Sequence, residues 1–297
     1  MTVIELIEAC SARLSEAGVS FGQGTTNAFD EAAWLVLWRL QMPLDGLDEV
    51  EELEVDDAHI DAVDALIDQR IATRQPAAYL TGEAWLQGVP FTVDARCIIP
   101  RSLIAEPLAD GAIDAWLSDR TRRVLDLCTG NGSLAVLAAM AWPEVTVDAA
   151  DLSTDALAVA RLNIDRHQLA DRITLHQGDG LTAVSNTVYD LILCNPPYVN
   201  QASMDALPAE FRTEPALALA GGADGMDFIR RLLRDAAQHL TPDGVLVLEI
   251  GHERPHFDAA FPTLEVVWLP TSAGDDQVLL LTRAALAALP STLPHSP

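Results

Sequence analysis

The 297-residue chain contains no lysine: all 18 of its cations are arginine, against 44 Asp and Glu, for a formal charge of −26. Such a surface repels phosphate backbones, so a general nucleic-acid binder is disfavoured and no direct nucleic-acid partner is expected. Cysteine is scarce too. Cys10, Cys97, Cys128 and Cys194 lie far apart with no C-x-x-C pair, which removes a disulfide scaffold and a zinc ribbon and fits a reducing cytoplasm. No apolar run approaches the roughly 18 residues of a spanning helix, and the opening MTVIELIEAC carries acids where a signal peptide wants cations. The expectation is a soluble cytoplasmic protein without a membrane partner. The chain does have length for one large or two ordinary domains, and 49% hydrophobic residues to fill their cores.

The first 80 residues hold 16 acids and four Arg, a local balance of −12, and their pattern is helical. Val3, Ile4, Ile7 and Leu14 form one stripe, Ala33, Trp34, Leu37 and Leu40 a second, and Ile60, Val63, Ile67 and Ile71 a third. Between the second and third, Asp45 to Asp57 carries eight acids in thirteen residues. This run reads as a solvated connector, with a docking site for a basic partner as the alternative. From Glu83 to Asp94 the period becomes strand-like around Gly88 and Pro90, which predicts a hairpin within 81–97.

Beyond it, residues 98–285 repeat a strand-then-helix rhythm. Val124–Cys128, Val145–Asp151, Ile173–His176, Leu191–Cys194 and Val245–Ile250 are apolar runs of buried-strand type, mostly separated by helical stretches such as Thr154–His167 and Met226–Leu240. They predict an α/β fold built on a doubly wound parallel sheet. Leu264–Leu269 and Gln277–Thr282 should pair antiparallel at the edge of that sheet. Residues 286–297 read as a flexible tail.

Asp126 to Ala135 runs from a strand through a Gly-rich turn, Cys128-Thr129-Gly130-Asn131-Gly132, into a helix. Glycines there admit close approach of a ligand to backbone N–H groups, and the helix start favours anionic groups. Nicotinamide, flavin and S-adenosylmethionine (SAM) enzymes all use such turns. Asp151, nineteen residues after Gly132, is placed to accept from ribose hydroxyls, or else to cap the next helix. Asp179 and Gly180 follow the third strand, where an acid can read an adenine amino group.

Asn195-Pro196-Pro197-Tyr198, after the fourth strand, separates these candidates, because a dehydrogenase has no use for it. Two prolines stiffen the loop and remove two N–H donors. The Asn195 side-chain oxygen and the Pro196 carbonyl can then accept from one planar NH₂ group, directing its lone pair at an electrophilic methyl. Tyr198 offers a flat face to that group.

The order of Asp126–Gly132, Asp151, Asp179 and Asn195–Tyr198 resembles class I methyltransferases that modify planar amino groups. Tyr79-Leu80-Thr81, Ala84-Trp85, Gly88, Phe91, Val93-Asp94 and Pro100-Arg101-Ser102-x-Ile104-Ala105-Glu106 narrow the resemblance to the protein-glutamine N5-methyltransferases. Gly24-Thr25-Thr26-Asn27, Asp30-Glu31-Ala32, Glu214-Pro215 and Gly225 are similar to the branch that modifies the third large-subunit ribosomal protein. The release-factor branch usually reads Pro-Arg-Pro where Pro100-Arg101-Ser102 stands. Leu103, Thr213 and the short Ala273–Asp276 segment depart from the ribosomal-protein pattern.

The resemblance implies a seven-stranded SAM-dependent methyltransferase sheet (98–285), a small helical substrate-recognition domain (1–80) and a linking hairpin. It further implies SAM as cofactor, held by Asp126, Cys128, Thr129, Gly130, Asn131, Gly132, Asp151, Asp179, Gly180 and Asn195. Substrate would be bound by Asn195, Pro196, Pro197 and Tyr198, with Asn195, Pro196 and Tyr198 catalytic. The implied partner is a basic ribosomal protein. The alternatives are a release factor, a nucleobase amino group or a non-catalytic SAM-binding assembly factor.

His252-Glu253-Arg254-Pro255-His256 matches the H-E-x-x-H zinc pattern, yet Pro255 breaks the continuous helix that pattern needs, so no metal site is expected. Cys128 and Cys194 read as small apolar residues, not as a redox pair. Arg101 with Glu106 reads either as a positioning pair or as a structural ion pair.

Overall fold

The computed structural model describes residues 1–290. Helices α1 (Val3–Glu16), α2 (Ala28–Arg39), α3 (Leu47–Val50), α4 (Asp57–Thr73) and α5 (Ala77–Thr81) come first. Thr2 and Glu5 form a reciprocal capping box at α1, and Asn27 and Asp56 accept from backbone N–H groups at the starts of α2 and α4. Leu6, Ile7, Cys10, Leu35, Val36, Val63 and Ile67 make their shared core. The buried face of α2 is Ala32, Leu35, Val36 and Leu37, whereas Ala33, Trp34 and Leu40 of the expected stripe are only partly buried. The reason is that Trp34 sits at a boundary, packing both on this core and on the cluster of Ala78, Ile99 and Val159.

The segment from Asp45 to Asp57 is laid against the start of α1. Val3 N donates to Leu53 O at 3.0 Å, Ile4 N to Glu51 O at 3.0 Å, and the N-terminal ammonium pairs with Glu54 at 3.0 Å. The backbone of the acidic run is therefore fixed, while most of its carboxylates face solvent.

Strands β1 (Glu83–Leu86) and β2 (Val89–Thr92) form the expected hairpin, with Leu86 paired to Val89. Gln87 (φ 49°) and Gly88 (φ 73°) turn it, a two-residue connection whose left-handed backbone matches strand twist. Helix α6 (Ala105–Ala109) then leads to β3 (Arg123–Leu127), α7 (Ser133–Ala141), β4 (Thr146–Asp151), α8 (Thr154–Arg166), β5 (Ile173–Gln177) and β6 (Tyr189–Cys194). The chain continues through α9 (Gln201–Ala206), α10 (Asp227–Asp235), β7 (Leu240–Glu249), α11 (Arg254–Ala260), β8 (Val267–Thr271), β9 (Gly274–Thr282) and α12 (Arg283–Ala287).

The large sheet has seven strands in the order β5-β4-β3-β6-β7-β9-β8. The first five are parallel, and β9 inserts antiparallel between β7 and β8. Alternate residues of each strand face opposite layers. Val124, Leu191, Val245 and Leu280 join α7 and α6 on one side; Leu125, Ile192, Leu246 and Leu281 join α10 and α11 on the other. The order reverses between β3 and β6, and a crevice opens there at the C-terminal strand ends. The expected helix to Leu240 stops earlier: α10 ends at Asp235, a short 3-10 turn follows, and Leu240 already belongs to β7. Helix α12 reaches Ala287 with Leu286 buried, and 291–297, most of the tail expected from 286, lie outside the described residues.

Candidate active site

One cavity of about 500 Å³ occupies the crevice, a size suited to a small-molecule ligand. Cys128, Thr129, Gly130 and Asn131 line it from the β3 end and Asp151 from the β4 end. Asp179 and Gly180 follow β5, and Asn195, Pro196, Pro197 and Tyr198 follow β6. The distant segments picked out in the sequence therefore converge on one space.

The β3–α7 turn is made by backbone that favours small residues. Cys128 (φ 61°), Gly130 (φ 56°) and Gly132 (φ 81°) are all left-handed. Asp126 and Gly132, however, do not line the cavity. A Cβ on Gly132 would lie 3.1 Å from Ala160 Cβ, so that glycine serves the close approach of α7 to α8. Asp126 is sealed beneath the turn, where one carboxylate oxygen accepts from the Thr129 hydroxyl and, at 2.9 Å, from Ala135 N. Its other oxygen is buried without a partner among the described residues, and burial pushes its carboxyl up to about 7. The resemblance implies both as cofactor residues; neither borders the cavity, and both shape the turn that does.

Ser153 caps α8, accepting from Ala156 N at 3.1 Å, which leaves Asp151 free of that task. Asp151 accepts from Gly130 N at 2.9 Å and Ser153 N at 2.8 Å, and burial raises its carboxyl even so. Asp179 is partly committed, because Arg231 donates to it at 2.8 Å while lying over the Phe228 ring. Phe228 and Arg231 both line this end of the cavity.

The Asn195–Tyr198 loop is fastened just beyond the motif. Val199 N donates to Leu219 O at 2.8 Å and Gly221 N to Val199 O at 2.9 Å. Asn200 donates to Glu253 at 2.6 Å. His256 Nδ1 lies 2.6 Å from the same Glu253 carboxylate. Helix α11 begins only at Arg254, so His252 does not share a helix with His256.

Sequence reasoning gave Glu214 only as part of a family-like Glu214-Pro215 pair, with no partner, and missed Glu249 altogether. Glu214 pairs with Arg101 through two 2.7 Å bonds and accepts from Ile99 N at 3.0 Å, while Glu106 instead accepts from Ser272. Glu249, at the end of β7, accepts from Ser102 Oγ at 2.6 Å, Leu103 N at 2.9 Å and the Tyr198 hydroxyl at 3.1 Å. Apart from Tyr198, their partners lie more than a hundred residues away, so no local spacing announces them. Asn163 of α8 was missed as well. It accepts from Thr92 N at 2.7 Å and donates to Thr92 O at 3.0 Å and Asn131 O at 2.9 Å, joining the hairpin to the glycine-rich turn.

A carboxylate and a glycine-bearing turn at one end, and two carbonyl-rich prolines with an asparagine at the other, suit a nucleoside-bearing ligand opposite a planar amide. Among the described residues no cluster of His, Cys, Asp or Glu could hold a metal ion.

The family model for the methyltransferase small domain matches residues 113–267. A ribosomal protein uL3 glutamine methyltransferase of Bordetella pertussis is 55% identical, covering 96% of each chain. Proteins of the same name from Burkholderia pseudomallei and Neisseria meningitidis serogroup B are 50% and 45% identical. They cover 97% and 96% of this chain and 96% and 94% of their own. The catalytic domain of hMettl16, solved with a MAT2A 3′UTR hairpin, superposes with a TM-score of 0.51 at 16% identity, covering 80% of this chain and 84% of that one, and so shares the fold. This chain belongs to the ribosomal protein uL3 glutamine methyltransferase family, a family of methyltransferases whose fold and membership imply use of SAM.

Proposed function

We propose that this chain transfers the methyl group of SAM to the side-chain amide nitrogen (N5) of a glutamine in ribosomal protein uL3. The observation that carries the reading is that the Asn195–Tyr198 loop and the Cys128–Asp151 surface line one cavity. When bound, SAM supplies the electrophilic methyl. Cys128 to Asn131 receive its methionine end, Asp151 accepts from its ribose, and Asp179 and Gly180, beside Phe228, border its adenine. Asp126 and Gly132 contribute by holding the turn in shape.

At the other end, the Asn195 side-chain oxygen and the Pro196 carbonyl accept the two hydrogens of the glutamine NH₂. That arrangement holds a poor nucleophile in line and stabilises the positive charge developing on it. Pro197 stiffens the loop and Tyr198 faces the amide. The proton leaves after methyl transfer, so no strong base is required.

In this reading residues 1–80 recognise the substrate, the 81–97 hairpin links them to the catalytic region from 98 to 285, and the work is done in the cytoplasm. The substrate is basic, as ribosomal proteins typically are, and it meets an acidic enzyme. Labelled SAM incubated with purified uL3 and, separately, a release factor should mark uL3, with mass spectrometry placing one methyl on a glutamine. Labelling of the release factor alone, or of neither protein, would refute the proposal.

A further inference from the structure

We infer that Glu249 is a positioning residue for this reaction, fixing the ring of Tyr198 beside Asn195 and Pro196 by holding its hydroxyl. The inference rests on the function proposed above and assigns a task to a side chain with no evident need to be there. Glu249 is only 3% exposed and, among the described residues, has no cation as a hydrogen-bond partner. Burying a carboxylate on neutral donors is costly, and an uncharged residue would fill the space more cheaply. What the carboxylate does provide is a junction. One oxygen takes the Ser102 hydroxyl and Leu103 N from the turn after Pro100, and the other takes the Tyr198 hydroxyl.

The rest of Tyr198 is held by lack of room. A Cβ on Gly221 would lie 2.7 Å from Tyr198 Cα, one on Gly225 2.2 Å from its carbonyl oxygen, and one on Gly251 2.5 Å from its ring. Backbone and ring edge are thus boxed in by three glycines, and the hydroxyl is the one part of the residue that needs a directed partner. A flat ring serves a planar amide only at a set tilt, and a displacement of about 1 Å at such a site costs roughly a hundredfold in rate.

The test uses the full chain labelled with 3-fluorotyrosine, whose three tyrosines give three fluorine resonances; Tyr198→Phe identifies one of them. Glu249→Gln should shift or broaden that resonance, and Ser102→Ala should do so more weakly. With uL3 as substrate, Glu249→Gln should lower kcat by roughly 10- to 100-fold, with KM and SAM affinity within about threefold of the parent. Tyr198→Phe keeps Glu249 bonded to Ser102 and Leu103 and should fold. Its loss should match that of Glu249→Gln, and the double variant should be no worse than the poorer single, because both act through the same Tyr198–Glu249 contact, deleted in one and altered in polarity in the other. An unmoved Tyr198 resonance in Glu249→Gln, or kcat losses that multiply in the double variant, would overturn the inference. If the parent methylates no uL3, the proposed function fails, while the fluorine spectrum still decides whether Glu249 holds Tyr198.

Discussion

Arg70 of α4 donates to Glu31 of α2 across 2.8 Å, with both side chains nearly sealed from solvent. Glu210 approaches the same guanidinium at 3.8 Å and accepts from Arg74 at 3.3 Å. It immediately precedes Phe211, a cavity-lining residue whose ring lies against Arg101. The N-terminal helices are thus bolted to the cavity wall. Arg70→Ala strands the buried Glu31 carboxylate, while Glu210 keeps Arg74, and should cost roughly 3–5 kcal/mol, whereas Arg70→Met combined with Glu31→Gln should recover part of that loss. Urea unfolding of the variants checks this, and a cost under about 1 kcal/mol for Arg70→Ala would contradict it.

Asn195→Ala should leave SAM binding largely intact and slow methyl transfer by roughly a hundredfold to a thousandfold, the usual cost of losing one preorganised polar group. Single-turnover methylation at the parental rate would remove Asn195 from the proposed mechanism.

Asp151→Ala should weaken SAM by on the order of 1.5–3 kcal/mol, the worth of a charge-assisted hydrogen bond. It also frees Gly130 N, so the glycine-rich turn should loosen with it. Calorimetry on the apo and SAM-loaded variant measures both effects; unchanged affinity refutes the assignment.

Asp126 gives a pH signature. Its folded-state carboxyl titrates at about 7, above an ordinary value of 3.8, because burial disfavours the charge. The folded chain therefore binds this proton more tightly than the unfolded chain. The contribution to stability is full below pH 4 and is lost as pH rises through about 7, falling by about 1.4 kcal/mol for each pH step between those limits. Asp126→Asn places an amide where the neutral acid would be, so its stability relative to the parent should increase from pH 4 to pH 8. A flat difference would mean that Asp126 is ionised in the fold throughout.

The acidic run lends itself to a salt experiment. Screening shortens the reach of surface charge from about 10 Å at 0.1 M to about 3 Å at 1 M, so association with a basic uL3 should slow steeply with salt while turnover at saturation changes little. Neutralising Asp45, Asp48, Glu49, Glu51 and Glu52, but sparing Glu54 with its N-terminal partner, should flatten that slope. An association rate and slope equal to the parent's would leave the acidity with no docking role.

Contiguous motifs are legible in the amino-acid sequence. The glycine-rich turn, Asp151 and Asn195–Tyr198 each declare themselves within a few residues, and the parallel sheet follows from the α/β rhythm. Glu214 and Glu249 are not legible in this way, because each reads locally as an ordinary acid and acquires its meaning from Arg101, Ser102 and Tyr198 across the fold. Asp126 and Gly132 sit inside the same motif, but spacing along a chain does not separate a residue facing the cavity from one supporting the turn below. The displaced stripe of α2 has a similar origin: Trp34 is large and apolar, yet it spans two cores, and helical periodicity assumes one.

Asn163 grips only main-chain atoms, those of Thr92 and Asn131. Side chains at these two positions can therefore drift in descendants of this sequence without unfastening the hairpin from the turn. Proline at 92 is the exception, since it deletes the N–H that Asn163 receives. The latch thus depends on side-chain identity at one residue of the three; what holds the Asn131 side chain in place is the cavity it lines and the Ser133 N–H it accepts from, not the latch.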